Sequence, residues 1–129
     1  MIDLYLQSEI GYNPKEKQKE MFHPESRYLV IVDGEEKAGY CIFRFELEDD
    51  ITVAYCYEIQ IAPNHQGKGF GKRLMGALST LALHYKMDKV MLTVFTHNQQ
   101  ALDFYNTIGF EVDECSPDEA DYQIMSKNP

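Results

Sequence analysis

Apolar residues along this chain fall into two rhythms. From Lys89 to Phe95 (Lys-Val-Met-Leu-Thr-Val-Phe) they run almost unbroken, as in a strand buried on both faces. From about 69 to 86 the pattern is helical. Phe70, Leu74, Leu78, Leu81 and Tyr85 recur at spacings of 4, 4, 3 and 4, which makes one apolar face. Arg27 to Asp33 and Ala38 to Glu48 read as strands joined at an Asp33-Gly34 turn, a hairpin, and a third strand runs from about 51 to 62. A helix from Asn98 to about Ile108 stops at Gly109, a residue suited to a left-handed cap. Two short strands, about 110–114 and 121–126, close the chain. At the other end, residues 2–9 read as the tail of a helix. Asn13-Pro14 then offers an N-cap and a first helical position for a short charged helix over 14–22.

This order, three meandering strands and then helix, strand, helix and two strands, predicts an α/β (α+β layered) domain with a mixed sheet flanked by helices. With 129 residues, 44% of them hydrophobic, the chain reads as one domain over 1–129 with a single core. No apolar run is long enough to span a membrane and no signal-peptide pattern opens the chain. Cys41, Cys56 and Cys115 fit neither a zinc spacing nor a disulfide framework, so the reading contains no metal. Two of the three lie in predicted strands, as buried thiols in a reducing compartment would.

Charge narrows the picture further. There are 21 Asp and Glu against 12 Lys and Arg, a net charge of −9. That balance argues against nucleic acid, which needs clustered cations, and suits a basic protein or peptide. Yet no acid occurs between Glu58 and Asp88. Inside that acid-free stretch lies Gln66-Gly67-Lys68-Gly69-Phe70-Gly71-Lys72-Arg73, just ahead of the helical pattern. Glycines at a helix start leave backbone N–H groups free to meet an anion, and the helix dipole adds positive charge there. A glycine-rich turn with solvated lysines is the plainer alternative. A P-loop does not fit, because only three residues separate Gly67 from Gly71 and Arg73 stands where a magnesium-binding hydroxyl is needed. A dinucleotide fingerprint fails on glycine spacing.

Gln66-Gly67-Lys68-Gly69-Phe70-Gly71 resembles Q/R-x-x-G-x-G/A, the acyl-CoA pyrophosphate loop of the GNAT acetyltransferase superfamily. Asn98, Ala101, Tyr105, Gly109 and Phe110 match its downstream pattern N-x-x-A-x-x-x-Y-x-x-x-G-F. The resemblance is closer still to the NatD-type N-terminal acetyltransferases. It is carried by Tyr55-Cys56-Tyr57-Glu58-Ile59-Gln60, Lys89 to Phe95, His97-Asn98, Phe43 to Glu48 and Tyr122. That family acetylates the N-terminal serine of histone 4 and histone 2A, whose tails begin Ser-Gly-Arg-Gly. The resemblance implies acetyl-CoA as cofactor, a basic histone tail as partner, and a location in cytoplasm and nucleus. It also implies that this chain is N-terminally short and lacks the usual first strand.

Roles follow residue by residue. The resemblance puts the cofactor on Gln66, Gly67, Lys68, Gly69, Phe70, Gly71 and Lys72, on the strand backbone of Ile59, Gln60 and Ile61, and on Asn98. Asn98 can equally be an N-cap. An α-amine is about a fifth neutral at pH 7.4, against roughly a thousandth for a lysine, so one carboxylate can serve as base. Glu58, amid Tyr57, Ile59 and Ile61, is the candidate, with a solvated strand glutamate as the alternative. Tyr57 would position the acceptor amine. Tyr55 is on the same strand face, and Tyr105 is a dispensable acid for the departing thiolate. Glu46 and Glu48 share a strand face. They form either a fork for the substrate arginine or a solvated acidic edge. The resemblance adds Tyr5, Thr93 and Tyr122 to the peptide wall. A GNAT enzyme for a small amine or lysine, and a non-catalytic acyl-CoA or histone-tail binding module, remain open alternatives.

Overall fold

The computed structural model describes residues 25–48 and 50–129, and the backbone of residues 2–8. In chain order its elements are β1 (Ile2–Ser8), β2 (Arg27–Asp33), β3 (Glu36–Glu48), β4 (Ile51–Ile61), α1 (Phe70–His84), β5 (Lys89–Phe95), α2 (Gln99–Thr107), β6 (Glu111–Val112) and β7 (Tyr122–Lys127). A 3-10 turn over Pro63–His65 links β4 to the glycine loop. The strands form one mixed sheet in the order β1-β2-β3-β4-β5-β7-β6.

The first strand is present, which corrects the reading of 2–9 as a helix tail. Ile2, Leu4 and Leu6 alternate with Asp3, Tyr5 and Gln7, a period of two. The segment pairs antiparallel with β2 from Ile2↔Asp33 to Ser8↔Arg27. The helix expected over 14–22 lies outside the described residues.

The core sits between the sheet and α1. Phe43, Leu74, Leu78, Leu92 and Phe110 are almost wholly excluded from solvent, each worth about 1.5–3 kcal/mol of burial. On α1 the buried stripe is Phe70, Leu74, Met75, Leu78 and Ala82. The expected fifth position, Tyr85, is half exposed and meets the Phe45 ring at 5.4 Å instead. Cys41 and Cys56 are buried and Cys115 is exposed.

Two irregularities in β4 open the sheet. Against β3, Phe43 pairs with Cys56 and Ile42 with Glu58, so Tyr57 is an extra residue, a β-bulge. Before the bulge Ala54 and Cys56 face the core; after it Ile59 and Ile61 do. The bulge therefore turns Tyr57 and Glu58 to the same side, away from the helices. Against β5, the parallel ladder runs only from Val53↔Lys89 to Cys56↔Leu92. Beyond that pair the two strands part.

Candidate active site

On the helix side of the split lies a cleft of about 700 Å³. Ile59, Gln60 and Ile61 form one wall, the glycine loop another, and Asn98, Ala101, Phe104 and Tyr105 the third. Gly67 and Gly69 hold φ of +76° and +83°, and a β-carbon at either would meet no atom within 4 Å. Gly69 caps α1 with backbone alone. The first intrahelical bond there is Arg73 N–H to the Gly69 carbonyl at 3.1 Å, so the N–H groups of Phe70, Gly71 and Lys72 precede the helical ladder. No acid stands in the first turn of α1. Gln66 folds back, its amide donating to the Ile61 carbonyl at 3.1 Å and tying the loop to the strand end. A double anion with a slender arm fits this cradle: donors and open space at the loop, and strand backbone unpaired on its β5 side alongside.

Asn98 takes the plainer role without leaving the site. Its Oδ1 accepts the Ala101 N–H at 3.2 Å and caps α2, while the residue lines the cleft. Lys72 lines the cleft, whereas Lys68 is exposed away from it. Tyr105 also lines it, and burial holds its phenol well above the ordinary range, so it stays protonated.

On the opposite face a second pocket, about 290 Å³, is lined by Glu48, Tyr55, Tyr57, Thr93, Cys115 and Ile124, among others. Tyr55 and Thr93 share a short hydroxyl–hydroxyl hydrogen bond across the strands. The Tyr55 and Tyr57 rings lie 4.9 Å apart. Cys56, the last residue laddered to β5, lines this pocket as well, so the pocket reaches the start of the split. Glu58 is half-buried in β4 between Tyr57, which lines this pocket, and Ile59, which lines the cleft, and its carboxylate accepts the Tyr40 hydroxyl at 2.5 Å. Burial, and then the neighbouring carboxylate, push the Tyr40 phenol up to about 12.

The carboxylate fork expected of Glu46 and Glu48 is divided. Glu48 lines the pocket, but Glu46 accepts the Tyr57 hydroxyl at 2.6 Å and lies 3.9 Å from Arg44. Burial first, and this hydrogen bond second, hold the Tyr57 phenol well above its ordinary value. Tyr122 pairs with Phe95 at the start of β7, on the same strand face as Ile124. Tyr5 pairs with Val30 in β1, three strands from Tyr57. Sequence reasoning missed Tyr40, Arg44 and Phe104. The first two act across a ladder whose register no local pattern reveals. Phe104 betrays itself only through Gly71, where a β-carbon would sit 3.2 Å from its ring.

Comparison with known proteins bears on the family and the fold. The profile of the acetyltransferase (GNAT) family matches residues 2–110. An uncharacterized N-acetyltransferase of Bacillus subtilis, YycN, is 32% identical over 73 residues, covering 57% of this chain and 47% of that protein. N-alpha-acetyltransferase 40 of Saccharomyces cerevisiae is 34% identical over 70 residues, 49% of this chain and 25% of that protein. The matched regions thus span a quarter to a half of these relatives. A Bacillus subtilis acetyltransferase solved in complex with CoA superimposes with a TM-score of 0.78 over 100% of this chain and 99% of its own. At 15% identity it shows the shared fold.

Proposed function

This chain belongs to the acetyltransferase (GNAT) family, and on that premise we propose that it moves acetyl from acetyl-CoA to the N-terminal α-amine of a protein. The acceptor we propose is the Ser-Gly-Arg-Gly start of histone 4 and histone 2A. The observation that carries the reading is the place of Glu58 in β4, just past the β4–β5 split, between Tyr57, which lines one pocket, and Ile59, which lines the other. The Saccharomyces cerevisiae relative, an N-alpha-acetyltransferase by name, supports the choice of an α-amine. Acidic Glu48 and the chain's net charge of −9 support a basic tail. Free cysteines at 41, 56 and 115 are in keeping with a reducing compartment, cytoplasm and nucleus.

Bound acetyl-CoA supplies a thioester carbonyl open to attack by an amine. The N–H groups of Phe70, Gly71 and Lys72 would hold its pyrophosphate, and the backbone of Ile59 to Ile61, unpaired on the β5 side, would take the amide-bearing arm as an added strand is taken. Tyr57 orients the acceptor amine, and Glu58 receives its proton, directly or through one water. Tyr105 is a protonated phenol in the cofactor cleft. A thiol has an ordinary value near 8.5, so its departure needs no acid.

Mass spectrometry of a Ser-Gly-Arg-Gly-Lys peptide after incubation with the protein and acetyl-CoA tests the reading. Acetyl on the N-terminal nitrogen is expected; acetyl on the lysine alone, or on neither, removes it. A second reading has its own observation. A pocket of about 290 Å³ walled by Glu48 suits a small alkylammonium too. Competition between Ser-Gly-Arg-Gly and a polyamine decides between them by which acceptor is consumed first.

A further inference from the structure

Tyr57 occupies the least supported backbone position in β4. On the β3 side it is the bulged residue, with Cys56 and Glu58 taking the partners on either side of it. On the β5 side the ladder has already ended at Cys56. A residue outside both ladders owes its orientation to side-chain contacts. Besides the Tyr55 ring at 4.9 Å, those contacts converge on Arg44 of β3. Its guanidinium carbon lies 4.4 Å from the centre of the Tyr57 ring, within cation–π range. Its Nη1 is 3.9 Å from the Glu46 carboxylate oxygen that also accepts the Tyr57 hydroxyl. Its Nε donates to the Ser26 hydroxyl at 3.2 Å, and Ser26 is buried. The Arg44 side chain is 13% exposed and that of Glu46 20%, so water screens neither strongly. Arg44 thus grips the ring by its face and, through Glu46, by its hydroxyl, from a footing in Ser26 beside β2.

We infer that Arg44 is a positioning residue that fixes Tyr57 for the acceptor amine, with Glu46 as its second contact. The inference rests on the proposed role of Tyr57. Glu46 then serves Tyr57, and Glu48 is the member of the fork that meets the substrate cation. A lysine cannot replace Arg44 fully, because it lacks the planar face and the fixed fork.

The test is a double-mutant cycle with a second, activity-free readout. Arg44→Gln should lower kcat about tenfold with the KM for acetyl-CoA unchanged, and Arg44→Lys should recover part of the loss. In a Tyr57→Ala background Arg44→Gln should cost nothing further. Additive losses would overturn the inference. In protein carrying 13C-labelled tyrosine, the Tyr57 ring signal should move in Arg44→Gln and in Glu46→Gln but stay in Glu48→Gln, with the amide spectrum showing an intact fold. A Tyr57 signal indifferent to Arg44 also overturns it. If the signal responds while no amine is acetylated, the grip on Tyr57 stands and the functional reading falls. Should Arg44→Gln not fold, Arg44→Lys carries both measurements.

Discussion

Replacing Gly69 by alanine separates the role of the loop from the stability of the chain. Gly69 holds φ of +83° and Gly34, in the β2–β3 turn, holds +66°. Neither has an atom within 4 Å of where a β-carbon would stand. Both substitutions therefore carry the same kind of penalty, that of a β-carbon in the left-handed region, about 1–2 kcal/mol. For a chain of this size each should lower Tm by roughly 3–10 °C. Their effects on ligand should differ. Gly69 is the N-cap of α1, and any relaxation of its φ turns the N–H groups of Phe70 to Lys72 away from the cleft. Losing one hydrogen bond to a charged group costs about 1.5–3 kcal/mol, a ten- to over a hundredfold rise in Kd. Calorimetric titration with CoA, beside thermal melts, reads both quantities. Gly34→Ala should bind as the parent does. If Gly69→Ala melts like Gly34→Ala and also binds CoA as the parent does, the loop is a turn and not a phosphate cradle.

Four further outcomes are expected. Glu58→Gln keeps an oxygen for the Tyr40 hydroxyl and should lower kcat by about 100-fold at unchanged CoA affinity; equal turnover removes Glu58 from the chemistry. Glu48→Gln should raise the KM for Ser-Gly-Arg-Gly severalfold and leave that for Ser-Gly-Ala-Gly alone, a contrast of about 1 kcal/mol. Tyr105→Phe should change kcat less than about threefold, since thiolate departure needs no acid; a larger loss in steady-state assays would restore the tyrosine to the mechanism. Asp113 is buried, and burial alone would raise its value. Hydrogen bonds from Ser126, the Cys115 N–H and Lys89 overcome that and hold it well below the ordinary range. Its contribution is thus complete above the unfolded value near 3.9 and is lost as pH falls toward the folded one. Asp113→Asn should cost about 2–3 kcal/mol in urea melts at pH 7, and the gap should narrow between about pH 5 and pH 2.

The helix α1, the glycine loop and β5 were legible because each depends on its own residues: a period of 3.6, a spacing of glycines, an apolar run. β1 was missed because its alternation rests on only three aliphatics, Ile2, Leu4 and Leu6, a run short enough to be taken for one turn of a helix, and pairing with β2 decides the matter. The bulge left a trace that can be read in retrospect. Core-facing residues in β4 pass from even positions, Ala54 and Cys56, to odd ones, Ile59 and Ile61, with no glycine to mark the step. The expected fork at Glu46 and Glu48 followed correctly from strand alternation. It could not reveal that Tyr57, eleven residues on, would claim one of the two carboxylates. Such pairings belong to register, and register is a property of two strands at once.

The parting of β4 from β5 also gives the sheet two borders in its interior. A border strand ordinarily invites any passing chain to add itself, which is why proteins blunt their outer edges with charge, proline or a covering element. Here the open backbone after Cys56 forms one wall of a cleft of about 700 Å³, lined also by the starts of α1 and α2 and far smaller than a folded protein. Admission is set by girth. A thin chain bearing amides can lie along Ile59 to Ile61 and complete the interrupted sheet, where a broad strand with side chains on both faces is turned away. The ligand then becomes part of the architecture, and the amides there that point into the split, away from β3, should exchange with solvent slowly only while it is in place.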